Sequence, residues 1–226
     1  MRIEGDTRTR LLAVAMTAPA AIPASAQVGD RFLQVQRENA LALRKYQWKS
    51  RVEVRREGET SGVQIFLMRH GVDGSVQKTP IGGTPPPDRP RGPLKKKIAE
   101  KKVKAYQELV KELSGLAQAY ASLPPDRMQA LVAGATMTTP LGAAPDYVQI
   151  QARNVLQQGD SLTLWIDPGT HRQQRVEVRT FLETRAVAIV SEFRSLPGGP
   201  SYAARTIVDY PSESLQVITD SYDYEL

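Results

Sequence analysis

Apolar and polar positions along this chain follow two periods, and the switches between them mark its elements. Phe32, Val35, Asn39, Ala40 and Leu43 recur at helical spacing behind Asp30, a residue suited to an N-cap. This predicts a first helix from Asp30 to about Lys45. The period then drops to that of a strand. Tyr46, Trp48, Val52 and Val54 face one way, and Lys49, Arg51, Glu53 and Arg55 face the other. Glu57-Gly58-Glu59 turns the chain into a second strand, Val63 to Arg69. Ile65 and Leu67 lie on one of its faces and Phe66 and Met68 on the other, the composition of a strand covered on both sides. Asp73-Gly74 is a hairpin signal, and a third strand runs from Ser75 to about Pro80.

Residues 82–93 are rich in Pro and Gly and predict an extended loop. Leu94, Ile98, Tyr106, Leu109, Leu113, Leu116 and Tyr120 then keep helical spacing until Pro124-Pro125 ends the run. Asp126 to Ala133 reads as a shorter helix, and 134–146 as loop. From Tyr147 onward the pattern is that of strands. The clearest is a hairpin in which Leu162, Leu164 and Ile166 alternate with Thr163, Trp165 and Asp167. Asp167-Pro168-Gly169 turns it, with proline pre-setting its own φ and glycine accepting a positive one. Val176 and Val178 then alternate with Arg175, Glu177 and Arg179. Further strands fall at 185–194, Tyr202 to Asp209 and Leu215 to Tyr224. About eight or nine antiparallel strands result, by the usual strand signals. The fold class is α+β: a large curved antiparallel sheet, an incomplete barrel. An N-terminal helix and a helical insertion at about 94–134 cover its inner face.

Composition narrows the class. Charged residues are 24% of the 226 and hydrophobic ones 41%, values of an ordinary globular chain. The chain has no cysteine, which removes disulfides, thiolate metal sites and a catalytic thiol. Arg2, Arg8 and Arg10 precede an apolar stretch from Leu11 to Ile22, and Ala24-Ser25-Ala26 forms an A-x-A site. This predicts a signal peptide over 1–26, cleaved after Ala26, and a single exported, periplasmic domain over 27–226. The other reading of the segment is a disordered cytosolic tail.

With these elements in place, the chain resembles the periplasmic lipoprotein carriers and outer-membrane lipoprotein-sorting proteins, the LolA/LolB-like group. The resemblance rests on the signal and first helix leading into the strand at Phe32 to Val54, on the mid-chain helices, and on the Leu-Trp-Ile-Asp-Pro hairpin from Leu164 to Val178. The run Asp73 to Pro80, followed by a basic helix, is similar to one in a set of exported bacterial proteins of unknown function. The resemblance implies an incomplete barrel with helices across its open side, holding acyl chains of a lipid or lipoprotein between sheet and helices.

The candidate chemistry is sparse. Trp48, Phe66, Met68, Tyr106, Leu109, Leu113, Leu164, Ile166, Val176 and Val178 would wall an apolar ligand space, or else fill the core with one another. Lys95, Lys96, Lys97, Lys101, Lys102 and Lys104 crowd the first turns of the long helix, the end at which the helix dipole favours acids. They are either a solvated face or a site for an anionic membrane or cell-wall surface. No nucleic-acid reading motif accompanies them. His70 and His171 are the only histidines and have no ligand-spaced partners, so neither metal nor cofactor is expected. Asp209, Glu213, Asp220, Asp223 and Glu225 read as wet-face strand charges. No nucleophile-base pattern is present, and the expected function is non-enzymatic binding or carriage.

Overall fold

The computed structural model describes residues 24–84, 93–139 and 147–226. Ten antiparallel strands form one sheet: β1 (Gln47–Arg56), β2 (Glu59–His70), β3 (Val76–Gly83), β4 (Thr136–Thr138), β5 (Val148–Arg153), β6 (Ser161–Ile166), β7 (Gln173–Leu182), β8 (Arg185–Ser195), β9 (Ser201–Tyr210) and β10 (Leu215–Glu225). Their spatial order is β3-β2-β1-β10-β9-β8-β7-β6-β5-β4, so β10 closes against β1 while β3 and β4 remain as edges. Three helices accompany the sheet: α1 (Ala24–Leu43), α2 (Pro93–Ala121) and α3 (Pro125–Gly134). The expected α+β class and open curved sheet are borne out.

Register assigns the faces. Val54, Val217, Val208, Ile189, Val178 and Leu162 form one continuous rung across β1, β10, β9, β8, β7 and β6. Phe32 of α1, Leu113 and Tyr120 of α2, and Leu131 and Val132 of α3 join this face in one buried cluster, which makes it the inner one. On the outer face the rung Arg175, Glu192, Arg205, Asp220 and Arg51 alternates in charge over five strands. Such cross-strand pairs of opposite sign favour the register. Glu53 is the buried member of this surface. It accepts from Thr60 Oγ1 at 2.7 Å and Arg55 Nε at 2.6 Å, and Arg51 Nη1 lies 2.7 Å away. The Thr60 hydroxyl and the two guanidiniums pull its carboxyl down to about 2.

The C-terminal end of α2 is tied to the sheet by a buried carboxylate. Asp160, 1% exposed, caps the loop between β5 and β6 by accepting from the amides of Val155, Leu156 and Gln157 at 2.6, 2.9 and 3.0 Å. It also accepts from the Tyr120 hydroxyl at 2.6 Å. Thr180 Oγ1 lies 2.7 Å from the same hydroxyl and accepts from Gln157 Nε2 at 2.5 Å. The hydroxyls therefore point in sequence: Gln157 donates to Thr180, Thr180 to Tyr120, and Tyr120 to Asp160. Burial acts to raise the Asp160 pKa. The Tyr120 bond and the three amides outweigh it, and the net shift is downward. Desolvation and the carboxylate beside it push the Tyr120 phenol upward.

Four expectations are corrected. The first helix starts at Ala24, so Asp30 lies inside it and caps nothing; Ala24 and Ala26 extend it as good helix formers. The other residues of the expected signal peptide, 1–23, lie outside the described set. The 134–146 loop contains β4, a three-residue strand beside β5. The Asp167 turn does not use a glycine with positive φ; that conformation falls on His171, at 55°. Asp167 Oδ1 organises the turn instead, accepting from the Thr170 amide at 2.7 Å and its hydroxyl at 2.9 Å. Finally, β2 is not covered on both sides: Ile65, Phe66, Leu67 and Met68 are all only half-buried, one strand in from the β3 edge.

Two substitutions test this packing. Asp160→Asn removes the charge and sets an amide donor against backbone donors, so it should cost about 2–4 kcal/mol in urea unfolding. Because the folded pKa of Asp160 lies below its unfolded value, its stabilisation is present above the unfolded pKa and is lost as pH falls through the folded one. Wild-type stability should therefore decline below about pH 4, with Glu53 extending the decline towards its folded value of about 2. The Asp160→Asn variant should decline less steeply; an unchanged slope would contradict the clamp. Gly29 lies where α1 meets α3, and a Cβ there would stand 2.6 Å from Val132 Cγ1. Gly29→Ala should lower stability by about 1–3 kcal/mol despite alanine's helix preference. Adding Val132→Ala should recover part of that loss in the same assay.

Candidate functional site

The ten expected wall residues divide into two groups. Leu113, Leu164, Ile166 and Val178 are at most 2% exposed and sit in the buried cluster, with Tyr106, Leu109 and Val176 packed against it. They fill the space between the helices and the sheet with one another. Trp48, Phe66 and Met68 do not join that cluster and stay half-buried. Trp48 is opposite Met68 and Ser50 is opposite Phe66, so all four share a face with Val52 and Val54, which do reach the cluster. The same three residues therefore lie on the inner face, beyond the part that the helices cover.

The neighbouring edge strand continues this surface. Pro80 is opposite Phe66, Lys78 opposite Met68 and Val76 opposite His70, and every residue of β3 is exposed. Lys78 Nζ stands 5.4 Å from the centre of the Phe66 ring, a cation over an aromatic face. At the far end of β1, Trp48 stacks on Tyr224 with centroids 5.5 Å apart and planes 3° from parallel. His70 lies 5.3 Å from Trp48, and Tyr202 packs 4.3 Å from Tyr224. Burial pushes the Tyr224 phenol upward, and its Ser221 hydrogen bond opposes this in part. A bulge opposite Gln47 to Lys49 and a positive φ of 51° at Asp223 bring Tyr224 round to the Trp48 side. Asp223 itself faces Lys49, whose ammonium it holds at 3.0 Å and shifts upward in pKa.

Between this aromatic end and the filled cluster, the inner face is polar. Thr219, Thr206 and Ser191 follow Val52 along one rung, and Ser50 stands opposite Ser221 on the next. The Ser191 and Thr206 hydroxyls are 2.9 Å apart. This face thus carries an apolar surface at Trp48, Phe66 and Met68 with hydroxyls beside it. The sequence reading missed the hydroxyl row. Ser50, Ser191, Thr206, Thr219 and Ser221 alternate in phase with the apolar residues of their strands, and that phase was the available signal.

Two clefts stand out among the described residues. One, of about 340 Å³, is lined by Arg55, Glu57, Asp209, Ser214 and Gln216, at the end of the sheet where β9 turns into β10. The other, of about 250 Å³, lies beside the aromatic end, between the turn after α1 and the end of β2. Of the expected anionic-surface lysines, Lys101 and Lys104 are exposed on α2; the side chains of Lys95, Lys96, Lys97 and Lys102 lie outside the described set. No group of three or more His, Asp or Glu able to hold a metal stands together among the described residues, and none of their helices is long and apolar enough to cross a membrane.

No family model matches the chain, and no curated protein matches it. Among solved structures it is similar to a LolA superfamily protein from Nitrosomonas europaea, at 10% identity and a TM-score of 0.38, over 88% of this chain and 93% of that one. It is also similar to a DUF1329 family protein from Desulfovibrio piger, at 8% identity and a TM-score of 0.38, over 89% and 92% of the two chains. Likenesses of this size carry no argument about a ligand, so the functional reading rests on the residues of this chain.

Proposed function

We propose that the protein is an exported, non-enzymatic binder or carrier of an apolar, lipid-like ligand, such as an acyl chain. The observation that supports this is the uneven cover of the inner face. On β6 to β10 Ile166, Leu164, Val178, Ile189, Val208 and Val217 are at most 3% exposed. On β1 and β2 the larger side chains Trp48, Phe66 and Met68 remain half-buried beside an exposed edge strand. Aromatic and thioether groups left half in water on a concave sheet gain free energy when an apolar chain covers them, about 25 cal/mol per Å² of apolar surface removed from water. The ligand then lies along β1 and β2, and the filled core under α2 serves as its floor and stop.

The purified protein should bind single-chain lipids with an affinity that rises about two- to fourfold per added methylene, as burial of each CH₂ implies. Trp48 fluorescence in a Trp165→Phe background reads the titration. Phe66→Asp and Met68→Asp replace half-exposed residues and should leave the fold intact by circular dichroism, yet each should weaken binding about tenfold, or ~1.4 kcal/mol. Affinity independent of chain length, together with no lipid in solvent extracts of the protein, would refute the reading.

A further inference from the structure

The cleft of about 250 Å³ is lined by Arg44, Lys45, Tyr46, Gln47, Arg69 and His70, with Leu226 at its edge. No Asp or Glu side chain lines it. Of the carboxylates in its neighbourhood, Asp73 accepts from the Ser75 amide and hydroxyl at 3.0 and 2.7 Å, and Glu225 accepts at 3.3 Å from Nε2 of the lining residue Gln47. Arg44 and Lys45 follow the last residue of α1, where a helix C-terminus favours cations, so those two have a local reason to be basic. Arg69 and His70 have none, because they end a strand of another part of the chain. Arg44 also reaches away from its own helix. Its Nη2 would lie 3.3 Å from a Cβ built on Gly74, in the turn between β2 and β3, so the guanidinium rests on that turn beside the strand end that carries Arg69 and His70. His70 lines the cleft, and its Nδ1 atom is buried with no hydrogen-bond partner among the described residues.

Two lining residues connect this cleft to the apolar wall. His70 packs on Trp48, and Tyr46 meets the Tyr224 ring edge-on with centroids 6.4 Å apart. A chain lying along Trp48, Met68 and Phe66 therefore ends at a cationic cleft, a juxtaposition that fits an amphiphile with an anionic head. We infer that this cleft binds the phosphate of a phosphate-bearing ligand, with Arg44, Lys45 and Arg69 supplying charge and His70 a hydrogen bond; as a lipid headgroup site, the inference rests on the carrier reading above. Guanidinium groups suit this role because their fixed fork matches phosphate oxygens.

The test compares the full chain with an Arg44→Ala/Arg69→Ala variant and an Arg44→Lys/Arg69→Lys variant, against three probes at 0.1 M salt. Lysophosphatidylglycerol and a monoacylglycerol of equal chain length differ in the phosphate, and glycerol phosphate carries the head without the chain. The expected result is at least tenfold tighter binding of the lysolipid than of the monoacylglycerol. In the alanine variant that preference is lost because lysophosphatidylglycerol binding falls to the level of the monoacylglycerol, and in the lysine variant it is partly restored. Equal affinity for the two in the wild type, or a preference that survives in the alanine variant, would overturn the inference and leave the carrier reading standing. Binding of glycerol phosphate alone, lost in the alanine variant, supports the phosphate site and assigns it to free phosphate esters even if no lysolipid binds. Failure of all three probes overturns both readings.

Discussion

The carboxylate of Asp160 is the interaction on which the arrangement of this molecule turns. A charged group at 1% exposure with no ion-pair partner among the described residues is costly, and only a full set of donors makes it tolerable. Three amides of the β5–β6 loop and the Tyr120 hydroxyl supply that set. Among the described residues, the other contacts of this end of α2 with the sheet are with apolar side chains and non-directional. The clamp also fixes the helix in rotation. Tyr120 must point at Asp160, and Leu113, two turns earlier, then points into the sheet with 0% exposure. At Tyr106 the hydroxyl meets Ser61 Oγ at 2.8 Å, so the helix has by then crossed to the beginning of β2.

That path divides the inner face. The helix end clamped at Asp160 lies at the start of β6 and the end of β7, and α1 approaches from the other end of the strands. There Asn39 exchanges two hydrogen bonds with the backbone of Ser201, at 2.6 and 2.7 Å. Among the described residues the cluster beneath the helices takes in Val52 and Val54 of β1 but not Trp48, Phe66 or Met68 farther along β1 and β2. The half-exposure of Trp48, Phe66 and Met68 thus follows from where the helices are tied down. In the proposed carrier role, a core packed solid at one side leaves the ligand surface at the other without losing the interior that stabilises the fold.

Much of this was readable in the chain, for physical reasons that can be named. Period-two alternation at Leu162 to Ile166 and at Val176 to Val178 reports which side of a strand meets a core, and the register places all five residues on the inner face. Helical spacing from Tyr106 to Tyr120 reports the buried stripe of α2 in the same way. What alternation cannot report is depth. Leu164 and Trp48 share the inner face, yet one is sealed and the other half open, because the difference depends on how far the helices extend across the sheet. Asp160 escaped notice for a related reason. An Asp after Gly is an ordinary turn signal, and only the fold shows that Tyr120, 40 positions away, donates to it. His171 took the left-handed conformation expected of Gly169 because Asp167 builds the turn through its side chain, which lengthens the loop to Arg172.

An open sheet must also keep its two edges from pairing with each other or with another molecule. β4 does so by brevity, with three residues. β3 does so by chemistry: Lys78 places a charge on the edge, Pro80 removes a donor from the ladder, and a bulge lies where Phe66 and Ile65 meet Pro80 and Gly82. These devices prevent closure into a full barrel at the place where the inner face is least covered. The same Lys78 that blunts the edge lies over the Phe66 ring. Edge protection and the candidate ligand surface are therefore built from the same residues, and a change that extended β3 by a regular strand would close the route to the apolar wall as it stabilised the sheet.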